Sequence, residues 1–134
     1  MVWRRLRRRR TLGDDHPDTL ASVSSLAADL RELGELQQAR DLDQDTLNRR
    51  RRTLGDDHPD TLGSAHSLAV DLYALGEFER ARELDEDTLT RRRRVLGEDH
   101  PHTHRSARNL AADLAAMGDA EQSAALLAEF GLAP

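Results

Sequence analysis

Apolar residues recur at spacings of three and four positions along most of the chain, which is the pattern of one helix face. A proline precedes three of these stretches, and proline is tolerated in the first turn of a helix because its missing N–H would have no partner there. A glycine follows each stretch and suits the position just past a helix end. The first apolar stretch comprises Leu20, Val23, Ala27, Leu30 and Leu33, between Pro17 and Gly34.

The pattern predicts pairs of helices and no strands. We expect a first helix over about residues 17–33, 59–75 and 101–117, each followed at once by a second helix. The second helices are expected over about residues 35–53, 77–95 and 119–130, and they carry an apolar stripe of their own. The chain is therefore predicted to be all-α, built from helix pairs joined by short turns.

The helix pairs form an internal repeat. The sequence TLGDDHPDTL at residues 11–20 returns unchanged at 53–62, and a variant, VLGEDHPHTH, stands at 95–104, so both steps are 42 residues. By direct count, residues 11–52 and 53–94 agree at 30 of 42 positions. Self-similarity at a fixed period predicts stacked repeats, which present an extended surface for binding. We expect three repeats within 13–134 (about 11–52, 53–94 and 95–134), after a remnant of a preceding second helix at 1–12.

The repeat resembles the tetratricopeptide repeat, in the 42-residue form found in kinesin light chains. The matching text, read from Leu54 to Gly97, is LGxDHPxTLxSxxxLAxxLxxLGExxxARxLxxxTLxRRRRxLG. The phrases LGDDHPDTL and ARELDEDTLTRRRR are also similar to repeats of actinobacterial proteins that carry a nucleotide-binding STAND module. The resemblance implies a right-handed superhelical solenoid of antiparallel helix pairs that binds other proteins, and it leaves the partner open.

Composition narrows the class further. Hydrophobic residues make up 37% of the 134 residues, charged residues 34%, and there is no cysteine, which excludes disulfides and thiolate chemistry. All 20 basic residues are arginine, as a GC-rich bacterial genome would favour. The formal net charge of −5 argues against a general nucleic-acid or membrane-surface binder. The N-terminus MVWRRLRRRR has no apolar stretch after it and is not a signal peptide, so a cytoplasmic location is expected.

Nothing in the sequence predicts an active site, a cofactor site or a metal site, and the chain is not expected to be an enzyme. The arginine runs 7–10, 49–52 and 91–94 suit the negative ends of the second helices, and Asp45 and Asp87 precede them by four residues. The histidines of the DHP motifs are interpreted as turn and capping residues. Three histidines in EDHPHTH, at residues 100, 102 and 104, are interpreted as surface residues rather than metal ligands.

Polar residues interrupt the inward stripe of the second helices. Asp43 with Thr46, and Asp85 with Thr88, stand where the family usually has apolar residues or alanine, and Arg50 and Arg92 follow on the same face. We interpret this as a polar seam in which each aspartate meets an arginine or a hydroxyl between adjacent repeats. A buried charge kept for switching is the alternative.

The resemblance implies that the first helices line a concave groove, and several positions on them vary between repeats. Variation fits either ligand contact or freedom at exposed sites. The basic cluster of Arg105, Arg108 and His66 favours an extended ligand with carboxylates, since a guanidinium grips a carboxylate with two hydrogen bonds. The groove residues we predict are Ser24, Arg31, His66, Ser67, Tyr73, Arg105, Arg108 and Asn109.

The alternative is a purely architectural or self-associating segment of a larger signalling protein. Trp3 and Leu6 at one end, and Leu126, Leu127 and Phe130 at the other, would favour self-association if they are exposed.

Overall fold

The structure, a computed structural model, describes residues 13–134, and the predicted helix remnant with Trp3 and Leu6 lies outside this range. The described residues form six α-helices and no strands. Two compact units are present, with their boundary between Asp71 and Leu72, inside the third helix. In chain order the helices are α1 Pro17–Glu32, α2 Leu36–Leu54, α3 Pro59–Ala74, α4 Phe78–Leu96, α5 Pro101–Ala116 and α6 Ala120–Glu129.

These bounds confirm the helices predicted from the sequence to within one or two residues. The DHP histidines act as caps, as predicted. Nδ1 of His16 accepts from the N–H of Asp18 at 3.1 Å. In the same way His58 accepts from the N–H of Asp60, and His100 from the N–H of His102. Such a bond satisfies one of the free N–H groups at a helix start. Gly34 follows α1 with a positive φ of 84°, which glycine adopts without the steric penalty of a Cβ.

The first unit packs α1 against α2, with the N-terminal part of α3 completing it. The turn between α1 and α2 is only three residues long, so the two helices run antiparallel. Leucine and alanine dominate the interior because the close approach of the helices leaves little room for larger side chains. The buried apolar residues of this unit are Leu20, Val23, Leu26, Ala27, Ala39, Leu47, Leu62, Ala65, Leu68 and Ala69.

The second unit packs α4 and α6 against α5. A cluster of Leu89, Ala107 and Leu110 forms its core, and several half-buried residues from the end of the chain pack against that cluster. α6 ends early because the N–H of Leu132 turns back to the carbonyl of Leu127 at 2.8 Å, across Gly131 with a φ of 68°.

The C-terminal apolar residues are therefore covered within this unit. Leu127 is buried, while Leu126 and Phe130 are half-buried and pack on the core together with Leu132. The guanidinium of Arg93 also lies 4.9 Å from the centre of the Phe130 ring. Leu126, Leu127 and Phe130 are therefore not the exposed apolar end that would favour self-association.

The polar seam is buried as predicted, but its contacts differ from the prediction. Asp43 and Asp85 are each 2% exposed, and Thr46 and Thr88 are 1% exposed. Each aspartate faces another carboxyl group, on the first helix of the following repeat, rather than being bonded to an arginine or a hydroxyl. In the first unit Arg31 lies beside this second carboxyl, Asp71, and the charges of Arg31 and Arg50 both act on Asp43.

Candidate partner-binding site

The first unit holds four of the predicted contact residues. Ser24 and Arg31 lie on α1, and His66 and Ser67 lie on α3, all of them half-buried. Arg31 directs its Nη1 atom to Oδ1 of the buried Asp71, 3.2 Å away, and its side chain is 21% exposed. Its charge is thus engaged inside the unit, which leaves it less available to a ligand than the sequence suggested.

The second unit holds the other four. Tyr73 lies in the last turn of α3 and is 42% exposed, with its ring edge-to-face against Phe78 at 5.1 Å between centroids. Arg105, Arg108 and Asn109 lie on α5, where positions three and four residues apart share one side of the helix. Arg105 and Arg108 are exposed, and Asn109 is half-buried. The structure therefore brings these two arginines together with an amide and places an exposed tyrosine in the same unit.

The surroundings of Arg105 are basic. Burial lowers the pKa of Arg92, and the nearby charge of Arg105 lowers it further. The pKa of His102 is also lowered, by partial desolvation first and then by Arg92, His100 and Arg105. After the larger effect of burial, both shifts include a contribution from the positive charge of Arg105. Arg108 makes one weak contact, from its Nη1 to the carbonyl of Ala133 at 3.4 Å.

Arg105 and Arg108 differ from most arginines of the second helices in their ion pairing. Within residues 13–134, neither of them lies in an ion pair. Most arginines of the second helices are paired with carboxylates, as predicted for Asp45 with Arg49 (2.8 Å) and Asp87 with Arg91 (2.9 Å). Paired arginines of this kind are Arg40, Arg49, Arg51, Arg52, Arg80, Arg82, Arg91 and Arg93.

Sequence reasoning missed two buried aspartates, Asp71 on α3 and Asp113 on α5. They are 0% and 1% exposed and are the carboxyl neighbours of Asp43 and Asp85. A signal was present: an aspartate stands at the same place in the apolar stretch of every first helix, at Asp29, Asp71 and Asp113. A charged residue that recurs inside an apolar stripe indicates a buried, partnered group, which holds for Asp71 and Asp113, while Asp29 is exposed.

Two further observations concern metal binding and membrane insertion. Among the described residues there is no group of three or more histidine, aspartate or glutamate side chains that could bind a metal ion. His100 and His102 instead lie ring to ring, 5.1 Å apart. None of the helices in the described part of the chain is long and apolar enough to cross a membrane.

The antiparallel helix hairpins, repeated every 42 residues and capped by the same histidine and glycine, define a helical-repeat protein. The family model described as Tetratricopeptide repeat matches residues 19–60 and 61–102, which is more than half of the chain. The chain belongs to the tetratricopeptide repeat family, whose fold is an all-α solenoid of helix pairs. The repeats of this family are typically protein-interaction scaffolds.

Solved structures give the same fold. A kinesin light chain of Podosopora anserina with nearly identical TPR-like repeats is 29% identical, with a TM-score of 0.89 over 96% of this chain, and a variant of that protein gives the same values. BtubC (BKLC) from P. vanneervenii is 18% identical with a TM-score of 0.82 over 95% of this chain, which shows the fold alone. The chain spans 62% of the Podosopora anserina structure, 61% of its variant and 54% of BtubC. No curated protein gives a significant match.

Proposed function

We propose that this chain is a scaffold that binds an acidic peptide, or an acidic segment of a partner protein, through the first helices of its repeats. The observation that carries the proposal is the pair of exposed arginines on α5, Arg105 and Arg108, which have no ion pair within residues 13–134. A cation left without a carboxylate on a surface where other arginines are paired supports an anionic ligand. Asn109 adds hydrogen-bonding capacity beside them, and Tyr73 adds an exposed aromatic surface within the same unit.

Arginine suits this role for a geometric reason. Its planar guanidinium binds a carboxylate through two parallel hydrogen bonds and stays charged at every physiological pH. The position of Arg105 is occupied by Ala21 in the first repeat and by Gly63 in the second. The position of Arg108 is occupied by Ser24 and His66, so the third repeat alone offers two arginines. Ser24, His66 and Ser67 are proposed to add weaker polar contacts on the first helices of the first unit, and the engaged Arg31 is proposed to contribute least.

The test is a fluorescence-anisotropy titration with a labelled oligo-glutamate peptide, and an oligo-glutamine peptide of equal length as the neutral probe. We expect binding of oligo-glutamate only, weakened about tenfold or more in Arg105→Ala and in Arg108→Ala. Arg51→Ala is the matched control, because it removes the same charge from an exposed arginine at the end of a second helix. Equal loss in all three variants would show that net charge, rather than the α5 surface, attracts the peptide.

A purely architectural role is the alternative, and light scattering over a range of protein concentrations separates the two. A mass that stays constant while oligo-glutamate binds fits a scaffold. Growth of the mass with concentration, in the absence of peptide binding, would favour a self-associating segment.

A further inference from the structure

Two pairs of carboxyl groups are buried in the protein, one in each unit. Asp43 on α2 faces Asp71 on α3, and Asp85 on α4 faces Asp113 on α5, with side chains within hydrogen-bonding reach. All four residues are between 0% and 2% exposed. Each pair joins the second helix of one repeat to the first helix of the next, so its charge state acts directly on the packing of adjacent repeats.

The hydrogen bonding of these groups is incomplete if all four are ionised. Oδ2 of Asp43 and both carboxylate oxygens of Asp71 have no hydrogen-bond partner, and neither do Oδ1 of Asp85 and Oδ2 of Asp113. An ionised carboxylate can only accept, so two of them cannot satisfy each other. One proton placed between the members of a pair turns the contact into an O–H···O⁻ hydrogen bond and removes one of two buried like charges.

The positive charges around the two pairs are unequal. Facing the first pair, Arg31 on α1 lies 3.2 Å from Asp71, and Arg50 on α2 also acts on Asp43. Arg50 is held by the hydroxyl of Ser64 at 2.9 Å rather than by a carboxylate. In the second repeat the position of Arg31 is taken by Tyr73, which carries no positive charge.

The second pair therefore has weaker compensation. Arg92 on α4 acts on Asp85, but its Nη1 donates to Ser106 at 2.9 Å. Arg82 on α4 acts on Asp113, although it is already in ion pairs with Glu79 and Glu86. On α6, which also packs against α5, the acidic residues Glu121 and Glu129 are exposed, and Glu129 pairs with Arg93 at 3.1 Å.

We propose that each buried carboxyl pair is a proton-binding site, holding one shared proton in the folded protein at neutral pH, and that the pair beside Arg31 releases its proton at a lower pH than the pair without an equivalent arginine. Release leaves two like charges in a buried joint between repeats and weakens the packing of the second helix on the next first helix. As the pH rises, packing therefore weakens first at the Asp43–Asp71 contact and then at the Asp85–Asp113 contact.

The direction of the pKa shifts agrees with this geometry. Burial, followed by the neighbouring Asp71, raises the pKa of Asp43 to about 8, while Arg31 and Arg50 oppose the rise. Burial, followed by Asp113, raises the pKa of Asp85 to about 9, with only Arg92 opposing it. Burial is also the largest influence on Asp71 and Asp113, and the pKa of each is raised.

The test is a pH titration of the intact chain, labelled with carbon-13 at the aspartate Cγ and followed by NMR. We expect two late transitions, one for each buried pair, near pH 8 and pH 9. The isosteric variants Asp43→Asn and Asp85→Asn assign them, since each removes one of the two late transitions. If every aspartate Cγ titrates near 3.8, the ordinary value, the shared protons do not exist and the proposal is overturned.

The inequality of the sites is tested by exchanging the residues that differ between repeats. Arg31→Tyr should raise the midpoint of the first pair by about one pH unit, and Tyr73→Arg should lower that of the second by a similar amount. Arg31→Gln removes the charge with less change of shape and should shift the first midpoint in the same direction as Arg31→Tyr. Unchanged midpoints in the Arg31 variants would show that this arginine does not set the order of release.

Discussion

Arg92 on α4 donates from Nη1 to the hydroxyl of Ser106 on α5 at 2.9 Å, and the same bond joins Arg50 to Ser64 one repeat earlier at the same distance. Nη1 of Arg92 also donates to the carbonyl of His102 at 3.3 Å. In each case an arginine of a second helix donates to neutral oxygen atoms on the first helix of the next repeat. Arg92 is 5% exposed, whereas Arg50 is only half-buried, so the two copies of this contact should differ in strength.

We expect the Arg92–Ser106 contact to couple more strongly than the Arg50–Ser64 contact. Hydrogen bonds to charged groups contribute about 1.5–3 kcal/mol when buried and less where water competes. A double-mutant cycle to alanine, measured by urea unfolding, should give a coupling of about 1–2 kcal/mol for the buried pair. The half-buried pair serves as the matched control, and equal coupling energies would contradict the role assigned to burial.

The free energy of unfolding should depend on pH through the buried carboxyls. Their pKa values are raised in the folded protein, so the folded state holds protons that the unfolded chain releases above about pH 4. This stabilisation is complete below pH 4 and is lost as the pH rises through about 8 and 9. Thermal unfolding should show a Tm at least about 5 °C higher at about pH 5 than at about pH 9.

An opposing contribution limits stability on the acid side. Arg49 and Arg52 lower the pKa of Asp15, so that its ion pairs stabilise the fold above pH 4 and are lost as the pH falls further. The Tm should therefore pass through a maximum in mildly acid solution. A Tm that rises steadily from pH 5 to pH 9 would contradict the protonation assigned to the buried pairs.

Replacing one buried carboxyl by an amide should remove part of this pH dependence. In Asp85→Asn the side-chain amide donates to Asp113 as the shared proton would, but it cannot be lost at high pH. We expect the unfolding free energy to fall less steeply between pH 5 and pH 8, by about 1.4 kcal/mol per pH unit for the single proton removed. Urea unfolding at several pH values measures this slope, with Asp87→Asn as the exposed control on the same helix, and equal slopes in the two variants would count against the assignment.

The helices, their caps and the repeat could be predicted from the sequence because these features depend on neighbours along the chain. Pro17, the His16 cap and Gly34 mark their helix ends through local geometry alone. The pairing of Asp43 with Asp71 could not be predicted, since it depends on how far α3 is shifted along α2. The role of Arg31 changed for the same reason: its position on α1 suggested the groove, while its length lets it reach the buried Asp71.

Replacing glycine by alanine should have opposite effects on stability at two positions that differ in backbone conformation. Gly63 lies within α3, a Cβ there meets no atom within 4 Å, and the first repeat has Ala21 at this position. Gly63→Ala should stabilise the protein by about 0.5–1 kcal/mol, because glycine has a high entropic cost in a helix. Gly76 has a φ of 82°, so Gly76→Ala should instead destabilise it by about 1 kcal/mol. Urea unfolding of both variants checks the opposite signs, and a shared sign would contradict the backbone argument.

The acidic-peptide surface on α5 should be separable from stability. Arg108 is exposed and makes only one weak hydrogen bond, so Arg108→Ala should leave the Tm within about 2 °C of the unchanged protein. Oligo-glutamate binding to the unchanged protein should weaken as salt rises, because exposed charges are screened over about 8 Å at physiological ionic strength. In Arg105→Ala and Arg108→Ala the residual binding should depend less on salt, since fewer ion pairs form. Peptide titrations at low and high salt measure this, and an identical salt dependence in all three proteins would place the bound carboxylates elsewhere on the chain.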